Sequence, residues 1–163
     1  MRIRIISTGG TIDKIYFDAR SEFEVGSPQA GVLLAEANVS FDYEVLSLLR
    51  TDSLDLDDAD RELIRATVAV DPCERIIITH GTDTMVQTAR VLQSVENKVI
   101  VLTGSMQPAG QRVTDAIFNV GFAAAAVQLL PEGVYIAMNG RIHDPAITRK
   151  NVKANRFEKD IPR

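Results

Sequence analysis

Short apolar runs alternate with helix-length segments along the chain. The runs predict β-strands at Ile3–Ser7, Tyr43–Leu48, Arg75–Thr79, Val99–Thr103 and Val134–Met138. The third and fourth runs are continuous and rich in β-branched residues, which is typical of strands that are covered on both faces. Between the runs, the residue pattern and the stop signals predict helices at Asp57–Val70, Thr84–Val95 and Thr114–Leu130.

This alternation predicts an α/β fold, because parallel strands need a crossover that is usually a helix. We expect one domain over residues 1–163, built on a doubly wound parallel sheet of the Rossmann or flavodoxin-like kind.

Two segments do not follow the alternation. Lys14–Pro28 has no clear period and is expected to be a mobile lid loop. The basic segment Arg141–Arg163 is expected on the surface or against a partner.

The composition excludes several classes of protein. Hydrophobic residues make up 45% and charged residues 25% of the chain, which is ordinary for a soluble globular protein. A net charge of -4 gives no electrostatic case for nucleic acid. The apolar run Ile3–Ile6 is too short for a signal peptide or a membrane span, and the lone Cys73 suits a reducing compartment. We therefore expect a cytoplasmic protein that binds neither nucleic acid nor membranes.

Hydroxyl-bearing residues follow four of the predicted strands, and three of these strand ends also carry glycine. The loops are Ser7–Thr11, Thr51–Ser53, Thr79–Thr84 and Thr103–Met106. Ligands of open parallel sheets bind beyond the carboxyl ends of the strands, so we expect the site there. The glycines are expected to let a ligand approach the backbone. The alternative is that Ser7, Thr8 and Thr11 cap a turn and that Gly9 and Gly10 allow tight packing.

A nucleotide is the first ligand to consider at such loops. The loop after the first strand has the spacing of neither G-x-x-x-x-G-K-[ST] nor G-x-G-x-x-G, so the case for a nucleotide is weak. The acidic stretch Asp52–Asp60 lacks the glycine of a calcium loop and fits the start of a helix better. His80 and His143, the only histidines, have no partner at ligand spacing. We expect neither a metal nor a cofactor.

Thr82 and Asp83 place a hydroxyl beside a carboxylate on the predicted turn between the third strand and its helix. A threonine hydroxyl is a poor nucleophile and needs a base or relay to take its proton. A carboxylate paired with a lysine can supply one, because each partner tunes the pKa of the other. The alternative is that Asp83 is simply a helix N-cap.

At these residues the chain resembles the bacterial-type, threonine-dependent L-asparaginases. The matching blocks are Thr8–Ile12, His80–Met85, Leu102–Pro108, Asp115 with Asn119, and Val134–Asn139. They occur in family order, and the resemblance extends from residue 3 to about residue 157. Two separate catalytic signatures in the right order make a chance match improbable.

The resemblance implies a two-step hydrolysis of an amino-acid amide. Thr11 matches the nucleophile that forms the acyl-enzyme and releases ammonia, and Thr82, Asp83 and a lysine match a second relay. Ser53 matches the residue that holds the substrate α-carboxylate, and Asp83 also contacts the α-amino group. Gly10 and Asp52 are expected at the substrate as neighbours of Thr11 and Ser53. Backbone N–H groups of the glycine-rich turns would face the oxyanion.

Two residues depart from the family pattern. The lysine aligns only after a shift of one residue, so Lys150 is favoured, because lysine can exchange a proton, and Arg149 is the fallback. Phe23 stands at the position of the family's lid tyrosine. Tyr16 is the nearest substitute, with a phenol that could reach Thr11, and its alternative is a packed aromatic at the root of the loop.

Full-length relatives carry a second, smaller domain that completes a neighbouring subunit's site. We expect this chain to be a short form that works as a homodimer or higher homo-oligomer on L-asparagine. The alternative is an amino-acid-binding or regulatory module of the same fold with weak or no turnover. The sequence does not show whether asparagine or glutamine is the preferred substrate, because the two differ by one methylene, which contributes little to discrimination.

Overall fold

The structure, a computed structural model, describes residues 1–18 and 21–160, so residues 19–20 of the predicted lid and 161–163 of the basic segment lie outside the described residues. The strands of the described part are β1 (Arg2–Gly9), β2 (Lys14–Phe17), β3 (Glu22–Val25), β4 (Asp42–Thr51), β5 (Arg75–Thr79), β6 (Val99–Thr103), β7 (Gly133–Met138), β8 (Arg141–His143), β9 (Thr148–Asn151) and β10 (Arg156–Lys159). Its α-helices are α1 (Ala30–Glu36), α2 (Asp58–Val70), α3 (Met85–Leu92) and α4 (Ala116–Leu129).

The central sheet has the strand order β4-β1-β5-β6-β7-β8. Its first five strands are parallel, and in chain order they read 2-1-3-4-5, which is the flavodoxin-like arrangement. The prediction of a doubly wound α/β fold is therefore confirmed. The strand order reverses between β1 and β5, so the loops that follow these two strands border the point where such sheets bind ligands.

The sheet is not parallel throughout, because β8 runs antiparallel to β7 at the edge. Asn139 and Gly140 form the two-residue connection, and both have positive φ angles, of 50° and 78°. Asparagine and glycine tolerate this left-handed backbone, and such turns match the twist of a β-hairpin. The chain therefore turns back on itself after β7 and starts the basic segment as part of the sheet.

The core lies on both faces of the sheet, because alternate strand residues point to opposite sides. Ile77 packs on the face covered by α1 and α4, whereas its neighbours Ile76 and Ile78 pack on the face covered by α2 and α3. Helix α2 begins with reciprocal bonds between Asp57 and Asp60, from the backbone N–H of each to the side chain of the other. The acidic stretch thus starts a helix, as the sequence predicts.

The two segments outside the alternation are more regular than expected. Residues 14–28 contain an antiparallel hairpin, β2 with β3, so the expectation of a segment without regular structure is wrong; its mobility stays a prediction. The basic segment is also not confined to the surface: Phe157 on β10 is 7% exposed and packs in the core beside α3. Hairpin β9–β10 thereby brings Lys150 to the edge of the domain where the predicted site lies.

No helix among the described residues is both long and apolar enough to cross a membrane.

Candidate active site

Three loops at the carboxyl edge of the sheet are tied together by hydrogen bonds. The Gly10 N–H donates to the Thr51 carbonyl at 3.0 Å, which joins the loops after β1 and β4. The Thr84 hydroxyl donates to the Ser53 carbonyl at 2.7 Å, which joins the loops after β5 and β4. These bonds hold the residues after β4, β1 and β5 side by side at the point where strand order reverses.

The glycines of these loops allow the loops to pack on one another. A Cβ added to Gly10 would come within 3 Å of the Gly81 backbone, and one added to Gly81 would come within 3 Å of the Ser53 side chain. Gly104 packs in the same way on the His80 carbonyl. At these positions neighbouring chain fills the space that a side chain would occupy, so the glycines allow the loops to pack closely, and the approach of a ligand to their backbone stays a prediction.

Thr11 presents its hydroxyl group in the loop that follows β1. It opens a 3₁₀ turn, Thr11–Asp13, directly after Gly10 and is partly exposed. Its side chain makes no hydrogen bond to any residue within 1–18 or 21–160. Thr8 differs, because it is buried and its hydroxyl donates to the Thr79 carbonyl at 2.9 Å. Of these two threonines, Thr11 is therefore the one whose oxygen a substrate could reach.

Lys150 joins the predicted relay from the far end of the sequence. Its Nζ donates to Thr82 Oγ1 at 2.6 Å and to Asp83 Oδ1 at 2.5 Å. The Lys150 side chain is 8% exposed, whereas that of Asp83 is 35% exposed. Asp83 is not the N-cap of α3, since Thr84 occupies that position. The structure thus brings together a hydroxyl, a carboxylate and an ammonium group one residue beyond the contact between Gly10 and Gly81.

Arg149, the fallback for the lysine, lies elsewhere. Successive residues of β9 point to opposite sides, and Arg149 donates to Glu158 at 2.8 Å on the strand's outer side. Its side chain is 58% exposed. Only Lys150 of the two reaches Thr82 and Asp83.

Ser53 presents a buried hydroxyl without a partner. It is 1% exposed, and its Oγ makes no hydrogen bond in the part of the chain that the structure describes. An unsatisfied buried hydroxyl costs about 1–3 kcal/mol, so such a group calls for a ligand or water to bind it. Because Ser53 Oγ lies against Gly81, that partner would sit next to Thr82.

Asp52 is held by a contact to the β2–β3 hairpin. Lys14 Nζ donates to Asp52 Oδ2 at 2.6 Å, and the Leu54 N–H donates to its other oxygen at 3.3 Å. Burial raises the pKa of the Asp52 carboxyl, but the hydrogen bonds from Lys14 and from the backbone N–H groups of Leu54 and Ser53, together with the Lys14 charge, outweigh it and hold the pKa below its ordinary value. In this structure Asp52 therefore anchors the hairpin beside Ser53.

Tyr16 lies on β2 opposite Phe23, with the ring centroids 5.4 Å apart and the rings edge to face. Its side chain is 53% exposed, and its hydroxyl makes no hydrogen bond to Thr11. By strand register Tyr16 and Phe23 share the hairpin face of Lys14 and Val25. Since Lys14 contacts Asp52, that aromatic face is on the side of the loop cluster.

Sequence reasoning missed Asp13, a fully buried carboxylate two residues after Thr11. Ser7 Oγ donates to it at 2.6 Å and the Gln29 N–H at 2.8 Å, so it fixes the start of α1 to β1. Burial raises the pKa of Asp13, and the bonds from Ser7 and Gln29 offset part of that rise. The available signal was an acidic residue directly after the apolar Ile12, the first charged residue after the first strand.

Comparison with known proteins decides the family. A family profile described as Asparaginase, N-terminal, matches residues 2–159. The chain belongs to the asparaginase family. This asparaginase-family chain is 31% identical to the L-asparaginase of Thermococcus kodakarensis over 154 residues, 87% of the chain. It is 37% identical to the glutaminase-asparaginase of Pseudomonas aeruginosa over 95 residues, which are 54% of the chain and 26% of that protein.

The structure of the Thermococcus kodakarensis enzyme superposes on this asparaginase-family chain with a TM-score of 0.82. The match covers 98% of the chain at 27% identity, but only 51% of that enzyme. The sequence match likewise covers 45% of it. The chain thus spans about half the length of this relative.

In this asparaginase-family chain His80 supports the loop that carries Thr82 and Asp83 from inside the core. Its Nδ1 lies 2.7 Å from the Gly81 carbonyl and its Nε2 lies 2.8 Å from Thr88 Oγ1. Because a carbonyl only accepts, we assign the proton to Nδ1, and Nε2 then accepts from Thr88. Burial lowers the pKa of the fully buried His80 to about 4, with a smaller effect from the Arg61 charge; the Gly81 bond opposes both.

This lowered pKa predicts acid destabilisation. Below pH 6.5 the unfolded chain protonates His80, whereas the folded chain does so only near pH 4. The free energy of unfolding should therefore fall as the pH drops from 6.5 to 4, by about 3 kcal/mol from this residue. Urea unfolding of wild type and His80→Gln across this range measures the effect: the variant should lose that part of the pH dependence, and His143→Gln, at a partly buried histidine, should lose less. Equal pH slopes for wild type and His80→Gln would contradict the prediction.

Proposed function

We propose that this chain hydrolyses the side-chain amide of L-asparagine to L-aspartate and ammonia through a threonyl acyl-enzyme. The observation that carries the proposal is the contact of Lys150 with Thr82 and Asp83, at 2.6 and 2.5 Å, beside the loop that presents the free Thr11 hydroxyl. Membership of the asparaginase family and the names of the relatives support the same reaction.

In the first step Thr11 Oγ1 attacks the amide carbon and a C–O bond forms. The hydroxyl proton passes through the relay to the amide nitrogen, the C–N bond breaks, and ammonia leaves. Since Lys150 donates to Thr82 Oγ1, the Thr82 hydrogen is free to point at the reacting groups. Water then attacks the ester, Thr11 regains its proton, and aspartate is released. Backbone N–H groups of the two glycine-containing turns would stabilise the oxyanion of each step.

Recognition of a zwitterionic amino acid needs a hydrogen-bond donor for its carboxylate and a carboxylate side chain for its ammonium group. Ser53 supplies an unpartnered buried hydroxyl, and Asp83 supplies a partly exposed carboxylate whose bond to Lys150 uses Oδ1. Gly10 and Asp52 shape the walls on either side, by packing on Gly81 and by holding Lys14. These features support an amino-acid amide as the substrate.

The β2–β3 hairpin acts as the lid in this proposal. Its aromatic face carries Tyr16 and Phe23 on the side of Lys14, which is already bound to Asp52. We propose that closure over the substrate brings the Tyr16 phenol to Thr11 Oγ1. The present position of Tyr16 favours a second candidate function, an amino-acid-binding module with little turnover, because the phenol does not contact Thr11 here.

One set of measurements tests these functions. Ammonia release from L-asparagine and L-glutamine is followed at steady state, and L-aspartate binding is measured by calorimetry. Turnover of L-asparagine supports the proposal, and comparison of the two amides gives the preference that the glutaminase-asparaginase relative leaves open. Aspartate binding without ammonia release would replace the enzyme with the binding module, and stabilisation by ATP or NAD but not by aspartate would exclude both.

We also propose that the chain functions as a cytoplasmic homodimer or higher oligomer. Helix α4 contains no charged residue, and Ile117, Phe118 and Leu129 on it are 61%, 60% and 83% exposed, which favours an interface with a second copy. The lone cysteine, Cys73, is buried and forms no disulfide, in keeping with a reducing compartment. Light scattering coupled to size exclusion gives the mass; a monomer at working concentration would contradict the oligomer.

Removing the Ser53 hydroxyl should mainly affect substrate binding. For Ser53→Ala we expect KM to rise by about 10-fold, because a hydrogen bond to a charged group contributes about 1.5–3 kcal/mol, with a smaller change in kcat. The fold should be unharmed or slightly stabilised, since the lost hydroxyl has no partner in the described structure. Steady-state kinetics and thermal unfolding measure both effects. A fall in kcat at unchanged KM would assign Ser53 to another role.

A further inference from the structure

We infer that Arg90 is a positioning residue for the relay lysine. It ties strand β9 to helix α3, and this tie keeps Lys150 at hydrogen-bond distance from Thr82. The inference rests on the proposed amidase function, because it concerns the lysine that function employs.

Arg90 lies in the last turn of α3 and binds two carbonyl groups on the segment that leads into β9. Its Nε donates to the Pro145 carbonyl at 2.9 Å, and its Nη2 donates to the Thr148 carbonyl at 3.1 Å. The acceptors are the first residue of the 3₁₀ turn Pro145–Ile147 and Thr148, which begins β9, and Lys150 lies two residues after Thr148. A planar guanidinium with two separate donors fixes orientation as well as distance, which a single ammonium cannot do.

Helix α3 thereby holds both halves of the relay. Thr82 and Asp83 lead directly into it along the chain, and Met85, Ala89 and Leu92 bury it in the core. Lys150 comes from a hairpin whose chain is remote from α3, and Arg90 supplies the hydrogen bonds from α3 to the start of that hairpin. Besides the packing of Phe157 against α3, the position of Lys150 relative to Thr82 therefore depends on the hydrogen bonds that Arg90 makes from this helix.

Packing alone does not set this position. A surface cleft of about 230 Å³ separates part of α3 from β9, with Asp83, Gln87, Arg90 and Lys150 in its lining, and Gln87 and Arg90 are exposed there. Where side chains do not fill the space between two elements, directional bonds decide their separation. A displacement of about 1 Å in a catalytic group can cost a factor of about 100 in rate, so loss of the Arg90 bonds should reach the chemistry.

The test compares Arg90→Ala with Arg90→Lys and with Gln87→Ala, a matched control in the same cleft and helix whose side chain makes no hydrogen bond within the described residues. We expect kcat for L-asparagine to fall by about 10- to 100-fold in Arg90→Ala, with KM within about twofold of wild type. Arg90→Lys should recover part of kcat, because one ammonium reaches one carbonyl. Gln87→Ala should match wild type. All kinetics are run well below the unfolding temperature of each variant.

A second readout does not need turnover. Acetylation of Lys150, followed by peptide mass spectrometry, should proceed several-fold faster in Arg90→Ala than in wild type or Gln87→Ala, because the side chain is only 8% exposed when held. Unchanged kcat and unchanged acetylation in Arg90→Ala, with or without a lower unfolding temperature, would overturn the inference. If wild type releases no ammonia but acetylation still rises, the proposed function fails and the positioning role stands.

Discussion

Replacing Thr11 by valine should abolish ammonia release from L-asparagine. Removal of a nucleophile that acts with a relay lowers kcat by about 10³-fold or more, and valine keeps the shape of threonine without its oxygen. The fold should be retained, because Thr11 is partly exposed and its hydroxyl has no partner in the described structure, so we expect a stability change below about 1 kcal/mol. Ammonia assays beside thermal unfolding measure the two effects.

Two further variants make this result specific. Thr11→Ser restores a hydroxyl at the same position and should recover part of the activity. Thr51→Val removes a partly buried hydroxyl from the neighbouring loop, where the side chain makes no hydrogen bond among the described residues, and should leave kcat within about twofold. Full activity in Thr11→Val would remove Thr11 from the proposed reaction. Loss of activity in Thr51→Val alone would move the nucleophile to the next loop.

The central strands could be predicted from the sequence because their signal is local. Every residue of Val99–Thr103 is β-branched or apolar, and strand β6 has the same bounds. The β2–β3 hairpin carried no such signal, since its aromatic pair, Tyr16 and Phe23, becomes visible only when the strands align. Strand β3 alternates polar and apolar residues over only four positions, and β2 does not alternate, so periodicity gives little signal for this hairpin. Runs and periodic patterns of apolar residues indicate buried elements, and most residues of this hairpin are exposed.

The candidate site could also be predicted only in part from the sequence. Alternation of strands and helices predicts parallel strands, whose carboxyl ends meet at one edge of the sheet, so Thr11 and Thr82 could be placed at one edge from the sequence. The packing partners of the glycines could not be predicted, because Gly10 meets Gly81 only after two loops distant in sequence pack together. The partner of Asp83 depended on a hairpin whose approach to α3 is set by tertiary contacts, among them those of Phe157 and Arg90.

The choice between Lys150 and Arg149 shows what a structure adds. Alternation along a strand predicts that the two side chains point to opposite sides, but not which one points inward. In the structure Lys150 is the inward residue, and Arg149 pairs with Glu158 at the surface. Because the two neighbouring side chains lie on opposite sides of β9, they form a matched pair for mutation.

Lys150→Met should lower kcat by about 10²- to 10⁴-fold, because a relay that loses its central donor no longer holds Thr82 and Asp83 for proton transfer. Methionine keeps an unbranched chain in a site that is 8% exposed. Arg149→Met removes an exposed ion pair instead, which contributes about 1 kcal/mol or less to stability, and should leave kcat within about twofold. Steady-state kinetics and unfolding of both variants measure this contrast.

The relay also predicts how two losses combine. Residues that act as one unit are far from additive, so Thr82→Val with Lys150→Met should be little slower than the more damaging single variant. Independent roles would instead multiply the two reductions in kcat. If Arg149→Met were the slow variant and Lys150→Met were active, the relay would belong to the arginine, and the contact of Lys150 with Asp83 would be structural. Because these outcomes differ in kcat rather than in stability, unfolding cannot mimic them below the unfolding temperature.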